Sequence, residues 1–205
     1  MTHIEEDIYI AQELEDHQVD EKPVLTDIVL FTKQLLKDHS ALADFLAVQS
    51  SFVFADQSGI EAVYLSMQET GKVDTDSSPS TYTLPLEKKF ATILIAKMME
   101  IGFLVASATS DRNVSVEISQ DVDKKTYLKV VMPNPTLTAQ ELPDFFVLNN
   151  PLIGQKTHLQ FGSGLEGFIF RKLCTLLHIP YHIEIVQNNA KISLEITLLP
   201  NARMI

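Results

Sequence analysis

From residue 86 onward the chain alternates between one helix and a pair of strands, twice over. An apolar helical stretch spans 86–108, and strand-like runs follow at 114–119 and 127–132. A second helical stretch covers 165–177, before alternating runs at 182–187 and 191–198. Polar turns sit between the members of each pair: Asp121 to Lys125 in the first, Asn188-Asn189 in the second. Strands so joined pair as antiparallel hairpins, and helices this apolar need a sheet to cover. The order predicts an α+β chain whose carboxy-terminal part is an α/β sandwich.

The amino-terminal part reads as helical. Residues 2–20 are acidic and carry Ile4, Ile8, Ala11 and Leu14 at helical spacing, and Pro23 ends the segment. Between 24 and 55 there is neither glycine nor proline, and Ile28, Phe31, Leu35, Leu42, Phe45 and Phe52 recur at spacings that fit a helix seam. One long helix is predicted there, and it cannot bury such a seam alone. Its partners would be the first helix, a second copy of the chain, or both, most economically as a helical hairpin that dimerises into a four-helix bundle. A further short helix is expected over 58–68, and a polar run over 70–85 places a domain boundary between 1–70 and 71–205.

Charge and cysteine content narrow the function classes. With 27 acidic against 16 basic residues and a net charge of −11, the chain lacks the attraction to phosphate that binding to DNA, RNA or an anionic membrane requires. The single cysteine, Cys174, lies in an apolar helical stretch, which fits a buried thiol and a reducing cytoplasm. The longest apolar stretch, 90–108, is interrupted by Lys97 and Glu100, so neither a membrane span nor a signal peptide is expected. Pro180 keeps His178 and His182 off a shared helical face, and no metal site is predicted. Ser163 lacks the strand-turn-helix context of a nucleophile elbow.

Three motifs fall in a telling order: Glu141-Leu142-Pro143, then Gly162-Ser163-Gly164-Leu165 opening a helix, then a terminal strand ending in Leu199-Pro200. With the element order, they make residues 84–200 resemble the ATPase domain shared by histidine kinases, gyrase and MutL. The resemblance implies a nucleotide site, and several of its residues are replaced. Met132 stands where that family has the aspartate that reads adenine, and a thioether cannot accept a hydrogen bond as a carboxylate does. Asn134 and Thr136 take the places of turn glycines, adding β-carbons where backbone must approach ligand closely. Ala96 and Glu100 occupy the positions of two asparagines that position magnesium and phosphates. In the second glycine box Gly162, Gly164 and Leu165 remain, but Glu166 brings a carboxylate beside the phosphates. The expectation is a degenerate site that takes no ATP or other cofactor.

A nucleotide-free domain of this type behind a helical hairpin resembles the alphaproteobacterial histidine phosphotransferases of the cell-cycle phosphorelay. That resemblance implies a homodimer whose bundle histidine carries phosphate between the aspartates of response-regulator receiver domains. His3 lies closest to the family's phosphoacceptor position, followed by Glu5, Glu6 and Asp7, but lacks the adjacent aspartate and the later proline of the family motif. His39 is the alternative, beside Asp38 on the predicted long helix. The competing expectation is a non-catalytic, receiver-binding regulator that has lost its acceptor.

Overall fold

The computed structural model describes residues 3–16, 23–55, 83–146 and 165–199. The amino-terminal elements are helix α1 (His3–Asp16), strand β1 (Val24–Asp27), helix α2 (Ile28–Asp38), short helix α3 (Ser40–Phe45) and strand β2 (Gln49–Ala55). Then follow β3 (Thr83–Leu86), α4 (Lys88–Ser107), β4 (Asn113–Gln120) and β5 (Thr126–Pro133). A single 3-10 turn (Leu142–Asp144), α5 (Glu166–Leu176), β6 (Tyr181–Val186) and β7 (Lys191–Leu198) complete the described elements. Five strands form one mixed sheet in the order β2-β4-β5-β7-β6, with β2 parallel to β4 and the remaining pairs antiparallel. β1 and β3 pair separately as an antiparallel ribbon.

Alternation along the strands explains which sheet face is covered. Val114, Val116 and Ile118 on β4, Leu128, Val130 and Met132 on β5, and Ile192, Leu194, Ile196 and Leu198 on β7 are all buried. The pairing sets them in rows, such as Val116 against Val130 and Val130 against Leu194. Each large aliphatic residue so placed contributes about 1.5–3 kcal/mol of hydrophobic stabilisation. Helix α4 lies on β4 and β5 and is flanked by α2 and α5, with α1 packed on α5. Its approach to the sheet is close because Gly102 faces it: a β-carbon there would stand 2.8 Å from Val130 Cγ1. Enclosed on nearly every side, α4 is long and apolar enough to cross a membrane by composition, yet 83% of that window is buried against the rest of the chain.

Residues 24–55 do not form the predicted long helix. Asp27 ends β1 and caps α2, its Oδ1 accepting hydrogen bonds from the backbone N–H of Val29 at 3.0 Å and Leu30 at 3.1 Å. After α3, Ala47 turns left-handed at φ 53, the Ala47 N–H bonds to the Asp44 carbonyl, and the Val48 N–H bonds to the Ala43 carbonyl. This is a Schellman stop built without glycine. The chain then enters β2, where Phe52 is fully buried.

This correction reorganises the amino-terminal part. β1 and β2 lie within the expected hairpin domain, yet they pair with β3 and β4 beyond residue 70, so strands from both sides of the expected boundary share sheets. In place of a bundle partner, α1 finds the helical layer of the same unit. The short helix expected over 58–68 lies outside the described residues. β3 was missed because its four residues close a polar run.

Candidate functional site

Lys97 and Glu100 are charged residues within the otherwise apolar interior run of α4, three positions apart and therefore on one face. The Lys97 ammonium donates to Asp7 Oδ1 of α1 at 2.5 Å and to Glu100 Oε2 at 2.6 Å. The side chains of Lys97, Asp7 and Glu100 are only 4%, 0% and 6% exposed. A lone ion here would be very costly, and mutual pairing is what makes the burial tolerable. Burial pulls the Lys97 ammonium down, but Glu100 and Asp7 outweigh it and hold its pKa above the ordinary lysine range.

His39 joins this cluster from the junction of α2 and α3. Its Nδ1 lies 2.8 Å from the Leu35 carbonyl, which can only accept, so Nδ1 carries the hydrogen. Nε2 faces Glu100 Oε1 at 3.6 Å, an ion-pair rather than a hydrogen-bond distance. The adjoining Glu100 carboxylate lifts the His39 pKa above its ordinary value, against the opposing effects of burial and Lys97. With His39 protonated the four groups balance as two cations and two anions; with His39 neutral they carry one net negative charge.

The end of β5 is built differently. Met132 is fully buried opposite Ile192, its side chain part of the core. The Asn134 side chain ties the turn together: Nδ2 donates to the Leu137 and Asn189 carbonyls at 3.0 and 2.9 Å, and Oδ1 accepts from the Leu137 N–H at 2.7 Å. Asn134 thereby fastens the loop after β5 to the β6–β7 turn. Thr136 sits at φ 72, a left-handed conformation that a β-branched residue adopts only with strain.

Glu166 is the first residue of α5 and is fully buried, which puts a carboxylate of the chain at the helix end that attracts anions. Gly162 and Gly164 lie outside the described residues. His3 is the first residue of α1, with its side chain outside the described set. His178, at φ 52, forms the left-handed stop after α5, and the exposed His182 lies 3.6 Å from Glu184. Cys174 is buried, which pushes its thiol pKa up to about 12 and removes thiolate chemistry. Among the described residues no group of three His, Cys, Asp or Glu side chains could hold a metal ion.

The structure therefore gathers Glu100 and His39, which the resemblance put forward for separate reasons, with Lys97 and Asp7, to which it gave no role. A signal for Lys97 was present. A Lys and a Glu on one face of a helix apolar all round must be buried, and so must be paired. Nothing in the sequence named Asp7 as the partner, since α1 carries several carboxylates.

No protein-family model and no curated protein matches the chain by sequence. Solved structures do match by shape. Full-length ShkA in complex with AMPPNP superposes with a TM-score of 0.67 at 9% identity, covering 98% of this chain and 36% of that one. This chain thus spans about a third of ShkA's length. The Acinetobacter baumannii histidine kinase AdeS gives 0.60 at 14% identity, covering 97% and 78%. The nucleotide-free catalytic domain of the histidine kinase ThkA gives 0.56 at 10% identity, covering 87% and 99%. The chain has the fold of the histidine-kinase catalytic ATPase domain.

Proposed function

We propose that this chain is a histidine-kinase-type fold that works without ATP, as a binding module of two-component signalling that contacts response-regulator receiver domains. The observation that carries this reading is the buried Asp7–Lys97–Glu100–His39 cluster. In the register with kinases, Glu100 stands where an asparagine helps place magnesium and phosphates. Here that carboxylate is committed to an internal ammonium, and a second carboxylate is anchored alongside. A triphosphate brought to this face would meet two buried anions and would have to displace a helix. Met132 adds the loss of the adenine acceptor, and Glu166 the loss of a free helix terminus.

Phosphotransfer through His39 has less support than binding alone. Its ring nitrogens are directed at the Leu35 carbonyl and at Glu100, and the ring is half-buried at the end of an 11-residue helix rather than displayed along a bundle. To attack an aspartyl phosphate and release the aspartate carboxylate, a histidine needs a free, accessible ring nitrogen. Three measurements test the proposal: calorimetric titration with magnesium ATP, binding of a panel of receiver domains, and acid-labile phosphate on the chain after exposure to phosphorylated receivers. Receiver binding with neither ATP uptake nor phosphohistidine is the expected result. Saturable ATP binding would sink it, and phosphohistidine that disappears with His3→Ala or His39→Ala would restore the phosphotransferase.

A further inference from the structure

Asp7, Ile10, Ala11 and Leu14 fall at positions i, i+3, i+4 and i+7 of α1, and they are the described α1 residues that are buried or half-buried. Ile8 and Tyr9 point outward, 44% and 62% exposed. The pattern is that of an amphipathic helix laid into a groove, with one carboxylate on its apolar side. That carboxylate meets Lys97, an α4 cation otherwise enclosed by protein, while the apolar residues lie toward α5. Apolar contact, common to many helices, supplies affinity here; the buried ammonium supplies selectivity, because a helix lacking the carboxylate leaves that charge poorly compensated.

We propose that the face of α4 and α5 around Lys97 is a docking site for an acidic amphipathic helix, that α1 is its resident occupant, and that a partner's helix of the same chemistry binds by displacing α1. The partner's helix is specified by what the site accepts: small and aliphatic side chains at three- and four-residue spacing, with an aspartate one turn before them on the same side. α1 is suited to being displaced. It adds no strand to either sheet, and Asp7 and Leu14 are its buried described side chains. Because α1 is tethered, it competes at high effective concentration, and an external helix meets a site that is closed at rest.

The test uses the full chain and a fluorescein-labelled peptide with the sequence of residues 3–16, with binding read by anisotropy and each variant's fold checked by circular dichroism. The wild-type chain is expected to bind the peptide weakly. Loosening the resident helix by Asp7→Asn or by Leu14→Ala in the chain should tighten peptide binding about tenfold or more, since the competitor is weakened and the site is intact. A peptide carrying Asp7→Asn should lose that gain, as should a chain with both Asp7→Asn and Lys97→Met. The proposal fails if neither loosened chain binds the peptide, or if the peptide's aspartate makes no difference. Should the wild-type chain form concentration-dependent dimers that excess peptide dissolves, the occupant is a second copy's α1 and an external partner is ruled out.

Discussion

Under the proposed function, the end of β5 and the middle of α4 answer to the nucleotide site of a kinase, and they depart from it by opposite routes. At β5 the apolar Met132 fills the core, and the turn that follows is held in shape by Asn134 and by a strained Thr136. On α4 the polar character was not removed but turned inward, where Lys97 and Glu100 bind Asp7 and His39. A site can therefore be silenced by dryness or by internal neutralisation. The first kind should be indifferent to pH and intolerant of charge; the second should respond to pH and to the loss of any one partner.

The sharpest way to break this contrast is to put the missing chemistry back. Met132→Asp places a carboxyl in the fully buried row of Met132 and Ile192. Its cost should be about 4 kcal/mol, among the largest single-residue effects in a domain of this size. Chemical denaturation would register the loss as a lower midpoint with unchanged slope. Magnesium ATP should not recover it, since Ala96 and Glu100 still lack the family's amides. Recovery by nucleotide would show that the pocket is intact and that the two routes are not independent.

Next in size is the removal of one member of the α4 cluster. Lys97→Met leaves Asp7 and Glu100 facing each other's charge and should destabilise by about 3 kcal/mol, the range for breaking a buried ion pair. The double variant Asp7→Leu with Lys97→Met should regain most of that loss, with Glu100 left to pair with His39. At β5 no second substitution is expected to rescue Met132→Asp in the same way. If the double variant is as unstable as the single one, Asp7 is not the group whose charge Lys97 neutralises.

The pH dependence should belong to the α4 side. The His39 pKa is raised in the folded chain by Glu100, so its stabilising contribution is complete below the ordinary histidine value of about 6.5 and is lost as pH rises through the folded value. Denaturation midpoints should fall as pH rises across that interval, and His39→Gln should flatten the curve there. Met132→Leu, a substitution at the dry side, should leave the pH profile in place. A His39→Gln profile that still falls in the same window would assign the titration to another group.

Residue patterns decided where this fold was legible. β4, β5, β6 and β7 and helices α4 and α5 were readable because period and punctuation agree: alternating apolar residues end at Asp121 or Asn188, and the helices carry continuous apolar runs. Over 24–55 they disagree. Apolar spacing there mimics a helix, while the turn that ends α3 uses Ala47 in place of the glycine that would have marked it. At the site, the departures at Met132, Asn134 and Thr136 could be read one residue at a time because each stands against a fixed motif. The ion cluster could not, because it joins residues from α1, α2 and α4 that are up to 93 positions apart, and only packing brings them together.

The smallest expected effect concerns two of the positions where another residue holds a left-handed conformation that favours glycine. Thr136 has φ 72 and Ala47 φ 53, and each carries a β-carbon that the left-handed region disfavours. Thr136→Gly should relieve more strain than Ala47→Gly, because a β-branched side chain is the worse fit, but glycine also loosens the unfolded chain. The two terms oppose one another, leaving a net gain of about 1 kcal/mol at Thr136 and less at Ala47. Thr136 is exposed, so its removal empties no core. A stabilised Thr136→Gly chain that takes up no ATP in calorimetry would show that the shape of this turn alone does not make a nucleotide site. Destabilisation at Thr136, with stabilisation at Ala47, would mean that the threonine side chain holds the β5 loop through contacts worth more than the strain.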